Sequence, residues 1–154
     1  MNALAHIGHA VSDMEKSLRF YTELIGFTFD RELNFEPEQI TDLLVLETPR
    51  SMRVIYLLLG GFTLELMQMS PAGKAGAPGR GFEETGITHF SFVVDDPAGV
   101  YARVEEFGGS KWSDIGIANM IRDPDGQLIE LLPPTYPASI EEQRKAQAEG
   151  KGWP

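Results

Sequence analysis

Cysteine is absent from this 154-residue chain, which excludes disulfides, thiolate metal sites and thiol nucleophiles and removes any need for an oxidising compartment. Long apolar runs are missing too. The longest, Val54 to Leu59, is far short of the ~20 residues a membrane-crossing helix requires. The opening MNALAHIGHAV lacks the basic region and apolar core of a secretion signal, so the expected location is the cytoplasm. Positive charge is scarce: 13 Lys and Arg stand against 23 Asp and Glu, a formal charge of −10. No nucleic-acid partner is expected of such a chain, because that affinity rests on neutralising phosphates. A few local arginines would still suffice for a small anion. Hydrophobic residues make up 42% and charged residues 23%, a globular balance.

What is present is a repeat. Residues 4–13 read LAHIGHAVSD and are followed by MEKSLRFYTELIGFTF; residues 87–96 read ITHFSFVVDD and are followed by PAGVYARVEEFGGSKW. Each is a β-rich run with an early His and an Asp seven residues on, His6 to Asp13 and His89 to Asp96. A helix-like stretch and a Gly follow. Each copy ends in a strand bearing a Glu between apolar residues, FTLELMQM (62–69) and QLIELLP (127–133).

The pattern predicts a β-α-β-β-β unit in each copy. In the first, Asp13 caps a helix running to about Glu23, Gly26 stops it, and 27–33 form a strand. A short helix is expected over 37–44, with Pro37 in its first turn. Strands 52–59 and 62–69 are joined by Gly60-Gly61. In the second, a strand over 88–94, a helix over 97–107 and a Gly108-Gly109 stop precede a hairpin pairing about 115–122 with 127–132 across DPDG. The expected division is a first module at 1–69, a Gly/Ala/Pro-rich linker at 70–86, a second module at 87–134 and a tail at 135–154. In the tail, Ser139 and Glu142 have capping-box spacing ahead of a polar helix.

Strand alternation places the polar residues, since positions two apart share a face. Glu65 shares its face with Thr63 and Met67, and Glu130 with Leu128 and Leu132. His89 sits with Ser91 and Val93, opposite the apolar Phe90, Phe92 and Val94. His6 sits with Gly8 and Ala10, opposite Ile7, His9 and Val11. A mid-strand Glu among leucines is costly unless it is paired or bound to a cation. Taken singly, each His reads as a hydrogen-bonded core residue and each Glu as an edge residue facing water. Two of each, at matching positions of two repeats, point instead to one divalent metal held by His6, Glu65, His89 and Glu130. His9 falls on the helix-facing side, and Phe20, Tyr21 and Trp112 read as packing. For most of Arg50, Arg53, Lys74, Arg80 and Arg122, solvation is the expected role, with contact to an anionic ligand as the alternative.

With these residues in view, HIGHAVSDMEKSLRFYTELIGF, ITHFSFVVDD and RDPDGQLIELL resemble the vicinal oxygen chelate superfamily, which includes glyoxalase I, epimerases, extradiol dioxygenases, fosfomycin-resistance enzymes and bleomycin-binding proteins. The resemblance covers roughly residues 3–134. It implies an α+β fold of two paired βαβββ modules, with helices outside a cupped, barrel-like mixed sheet around a metal. His6 and His89 match the first-strand ligands, and Glu65 and Glu130 the last-strand ligands. The full His-Glu-His-Glu set is similar to that of the glyoxalase I type, although no glutathione-binding signature accompanies it. A homodimer is implied, with the modules closing a site either within one chain or between two.

Two imidazoles and two carboxylates suit Ni, Co, Zn, Mn or Fe and leave two coordination positions open. A small substrate with vicinal oxygens would chelate there, the ion stabilising an enediolate as a proton leaves the neighbouring carbon. Glu130 or Glu65 would take that proton. The leading expectation is therefore a metal-dependent lyase or isomerase of the glyoxalase type. The alternatives are an extradiol-type Fe(II) dioxygenase, or a non-catalytic protein that binds an antibiotic or toxin.

Overall fold

The computed structural model describes residues 2–72, 81–113 and 119–149. In the first half, β1 (Ile7–Ala10) leads to α1 (Met14–Arg19), β2 (Thr28–Phe35), α2 (Pro37–Ile40), β3 (Ser51–Leu59) and β4 (Phe62–Ser70). In the second, β5 (His89–Val93) leads to α3 (Pro97–Arg103), β6 (Ser110–Ser113), β7 (Asn119–Arg122) and β8 (Leu128–Leu132), and α4 (Tyr136–Ala148) follows. Each half forms one four-stranded mixed sheet, ordered β1-β4-β3-β2 and β5-β8-β7-β6. The first strand of each lies parallel to the last, and the other pairings are antiparallel. The sheets are cupped but do not close into a barrel, so the expected α+β class holds.

The repeated aspartates explain the helix starts. A carboxylate oxygen of Asp13 accepts from the amide of Lys16 at 3.0 Å, and Asp96 accepts from Gly99 at 2.9 Å, each satisfying an otherwise unpaired first-turn N–H. Both helices run on in altered form, a finer detail than the sequence pattern predicts. After α1, residues Phe20–Ile25 form a π-helical stretch, and after α3, Val104–Phe107 tighten into a 3-10 turn. Gly26 and Gly108 end them at φ 99° and 80°, a left-handed backbone that costs glycine little.

Two expectations change. The tail helix begins at Tyr136 rather than at a Ser139 cap, because Pro137 lies in its first turn, where no N–H is needed. Ser139 is inside the helix, and its hydroxyl donates to the Tyr136 carbonyl at 2.8 Å. The short helix α2 ends at Ile40 rather than near Leu44. Part of the linker (73–80) and the start of the second hairpin (114–118) lie outside the described residues. Among the described residues, no helix is long and apolar enough to cross a membrane.

Both sheets turn their oily faces toward one shared core. Leu64, Leu66, Ile55 and Leu57 from the first sheet join Phe90, Phe92, Ile129 and Leu131 from the second, with Phe20 and Tyr21 of the π-helical stretch between them. Phe20 and Tyr21 are fully buried, and burial of an aromatic or aliphatic side chain contributes about 1.5–3 kcal/mol. Phe27 bridges the halves, edge-on to both Tyr21 and Phe92.

A polar hub ties the halves together inside this core. The side chain of Asp123, in the DPDG turn, is fully buried. One carboxylate oxygen meets His9 Nε2 at 2.7 Å and accepts from the Tyr21 hydroxyl at 2.8 Å. The other accepts from the amides of Asp125 and Gln127 at 2.9 and 2.8 Å. Four partners compensate the carboxylate for its lost water.

Two stability measurements test this packing. Burial, and then the adjacent Asp123 carboxylate, raise the Tyr21 phenol well above its ordinary 10.0. The unfolded chain therefore ionises this tyrosine first. Its contribution to stability is complete below pH 10 and is lost as pH climbs toward the native value. Tyr21→Phe is expected to flatten the alkaline fall in denaturation midpoint above pH 10, while costing about 1 kcal/mol at neutral pH. At Gly109, an added Cβ would lie 2.4 Å from the Arg122 carbonyl oxygen and 2.8 Å from both Phe20 and Val104. Gly109→Ala is expected to cost about 1–3 kcal/mol in urea unfolding, through overpacking.

Candidate metal centre

The four residues singled out by the repeat form two pairs. His6, just ahead of β1, lies with its Nε2 3.3 Å from Oε2 of Glu65 on β4. His89, opening β5, lies with its Nε2 3.7 Å from Oε2 of Glu130 on β8. The parallel registers are equivalent: Gly8 stands opposite Glu65, and Ser91 opposite Glu130, each two residues beyond its His. Both pairs occupy the sheet face turned away from the shared core. The histidine side chains are 42% and 28% exposed, the glutamates 13% and 27%.

The structure does not bring all four together within one chain. Among the described residues, no group of three or more His, Asp or Glu converges as a metal site. The first pair has the spacing of two ligands on one ion, and the second, at 3.7 Å, is wider. Two atoms at ~2.0–2.2 Å from one ion stand about 3 Å apart when they take adjacent positions, close to the 3.3 Å seen for His6 and Glu65. Nitrogen and carboxylate donors suit a divalent first-row ion. Each chain thus presents two half-sites of the right chemistry on separate sheets.

The two half-sites are supported differently. Tyr56 on β3, directly opposite Glu65 in register, donates its hydroxyl to Glu65 Oε1 at 2.5 Å. That hydrogen bond, followed by burial, raises the Tyr56 phenol above its ordinary value. The His6 ring stands edge-on to Tyr56, and the Arg31 guanidinium lies 3.7 Å from the centroid of the Tyr56 ring. The matching position opposite Glu130 is Met120, which has no hydroxyl. Glu130 is held instead by Ser91, whose hydroxyl donates to Oε2 at 2.6 Å. His89 Nδ1 lies 2.8 Å from the Thr88 hydroxyl, the kind of partner that orients a ligating imidazole.

Around the first half-site the wall is apolar. Met52, Val54 and Tyr56 pack with Ile40 of α2, and Phe35, Leu46, Met67 and Met69 adjoin them. Along the edge strand β5, an apolar cleft of about 490 Å³ is lined by Ile7, Leu59 and Phe62 from the first half and by Phe90 and Phe92, with His89 at its border.

Of the remaining sequence candidates, His9 keeps its structural role, engaged with Asp123. Trp112 is half exposed, and it packs against the Arg122 guanidinium, 4.3 Å from its ring. Arg122 in turn is buried rather than solvated; it also donates to the Gly126 carbonyl. Arg53 pairs with Glu15 and Glu32, and Arg50 donates to the carbonyls of Pro71 and Ala72. Lys74 and Arg80 lie outside the described residues. Tyr56 and Ser91 were not marked out by the sequence reading. Their signal was cross-strand registry with the two glutamates, which depends on pairing that one strand cannot report.

Gly8 has a visible packing role here. A Cβ there would meet Met67 Cε at 2.8 Å and Glu65 Oε2 at 3.2 Å. Because Met67 has a flexible end, Gly8→Ala is expected to cost no more than about 1 kcal/mol in thermal or urea unfolding, while Gly8→Val costs about 1–3 kcal/mol.

Comparison with known proteins agrees with this architecture. Residues 3–131 match the family model of the Glyoxalase/Bleomycin resistance protein/Dioxygenase superfamily. A probable chloroplastic lactoylglutathione lyase of Arabidopsis thaliana is 26% identical over 136 residues, covering 84% of this chain and 35% of that protein. The chain therefore spans about a third of that relative's length. A glyoxalase family protein from Bacillus cereus superposes with a TM-score of 0.74 at 18% identity, covering 86% of this chain and 94% of that one. The trypanothione-dependent glyoxalase I of Leishmania major superposes with a TM-score of 0.66 at 20% identity, covering 99% and 100%. At these identities the superpositions speak for the fold alone. With the family model matched along most of its length, the chain belongs to the Glyoxalase/Bleomycin resistance protein/Dioxygenase superfamily.

Proposed function

We propose that this protein is a metal-dependent lyase or isomerase of the glyoxalase type. In this reading its site is completed between two copies of the chain, so that His6 and Glu65 of one chain meet the partner subunit's His89 and the partner subunit's Glu130. The observation that carries the reading is the pair of half-sites: equivalent His-Glu pairs, each short of a full ligand set, on outward faces of two separate sheets. β1, which follows His6, and β5, which His89 opens, are edges of their sheets among the described residues, so no further strand flanks either half-site. The superfamily and the distant lactoylglutathione lyase relative favour an enzyme over a passive binder.

A bound divalent ion would supply Lewis-acid stabilisation of negative charge on a substrate oxygen. The chain's own residues divide the remaining work. Glu65, held by Tyr56 on Oε1 and facing His6 with Oε2, is suited to stay in place. Glu130 is engaged through Oε2 only among the described residues, which leaves Oε1 free to receive a proton from carbon next to a carbonyl. We therefore assign Glu130 as the base. The apolar wall beside the first half-site and the apolar cleft that His89 lines would hold the carbon part of such a substrate. The substrate is a small molecule with vicinal oxygens.

Mixed dimers test the arrangement. Glu65→Ala and Glu130→Ala chains, each purified alone, are expected to hold no tightly bound metal by elemental mass spectrometry. A heterodimer of the two carries both lesions in one site and none in the other. It is expected to recover about one ion per two chains, with half the dimeric activity. A site built within one chain predicts no recovery at all. Failure of the unaltered protein to take up Ni, Co, Zn, Mn or Fe(II) would remove the metal reading and bring the binding-protein alternative forward.

A further inference from the structure

We propose that Tyr56 is a positioning residue for the metal ligands of the first half-site, its hydroxyl fixing Oε1 of Glu65 so that Oε2 is presented beside the His6 imidazole. The inference rests on the two-half-site reading above. It adds a residue that the ligand set does not contain.

Three contacts converge on this one side chain. The hydroxyl donates to Glu65 Oε1 at 2.5 Å. The ring meets the His6 imidazole edge-on at 5.8 Å, so both ligands of the half-site touch Tyr56. On the side of β2, the Arg31 guanidinium stacks at 3.7 Å from the ring centroid, a cation–π contact that restrains the ring. Only 9% of Tyr56 is exposed, and it packs with Ile40, Met52 and Val54. A phenol locked in this way has little freedom to release the carboxylate.

The need for such a residue follows from Gly8. In the second half-site the residue opposite the glutamate is Ser91, which reaches Glu130 directly. In the first, that place is taken by Gly8, which has no side chain to donate. Support for Glu65 must come from its other neighbouring strand, and β3 brings Tyr56 into direct register with it. The consequence is geometric. With Oε1 held by the phenol, the plane of the Glu65 carboxylate is fixed, and Oε2, beside His6, is the oxygen that would meet an ion.

The test uses Tyr56→Phe, which keeps the ring, the Arg31 stack and the His6 contact and removes only the hydroxyl. Metal-stripped protein is titrated with Co(II) against a chelator, and the visible Co(II) absorption is recorded. Loss of such an outer partner typically weakens metal affinity by about 10–100-fold. We expect a loss in that range and an altered Co(II) spectrum, with the metal-free denaturation midpoint little changed. In a Glu65→Gln background the same substitution is expected to change Co(II) affinity less than about twofold, because the coupled partner is already altered. Equal Co(II) affinity and superimposable spectra for the unaltered protein and Tyr56→Phe would overturn the proposal while leaving the half-site reading intact. So would an undiminished effect of Tyr56→Phe in the Glu65→Gln background, which would assign the loss to packing. Failure of the unaltered protein to bind Co(II) would overturn both.

Discussion

The arrangement depends on a single constraint: two cupped sheets, each apolar on one face, bury those faces against the same core. Leu64 and Leu66 alternate with Glu65, and Ile129 and Leu131 flank Glu130. Once the leucines and Ile129 point inward, the glutamates must point outward, because adjacent strand residues take opposite faces. Sharing one core between the halves therefore turns both His-Glu faces away from it. The half-sites are separate for the same reason that the chain is stable.

That core is not held by apolar contact alone. Asp123 sits in a hairpin turn of the second half, yet its side chain bonds to His9 and Tyr21 of the first. A buried carboxylate is costly unless its lone pairs are met, and here the cost is offset by two amides from its own turn and two side chains across the junction. The groups can be satisfied together in one relative placement of the halves, so the hub adds direction to a hydrophobic contact that has little of its own.

The two halves follow one plan and have diverged where the chemistry is finest. Both place a His two residues ahead of the position facing a Glu. In one half that position is Gly8, and a phenol from the next strand does the supporting; in the other it is Ser91, with Met120 across the sheet. The result is one carboxylate tied at both oxygens and one engaged at a single oxygen. Two chemically equal glutamates are thereby made unequal by their neighbours.

Much of this was legible in the chain itself. The β-α-β-β-β repeat, the Asp13 cap, the glycine stops and the His6, Glu65, His89 and Glu130 positions all follow from local pattern, because alternation, capping and positive-φ turns are set by neighbours a few residues apart. The pairing of each His with the Glu of its own repeat came instead from the parallel registers of β1 with β4 and of β5 with β8. Tertiary structure decided what local rules cannot reach. Asp123 read as a turn residue and proved to be a buried hub, Arg122 read as solvated and proved to be buried, and Tyr56 gained its place beside Glu65 only through strand registry. Above all, alternation fixes which side chains share a face of one sheet, but says nothing of how two sheets are turned toward each other. That choice was made by the packing of Phe20, Tyr21, Phe27 and Phe92 between them, and it left the two His-Glu pairs of one chain apart.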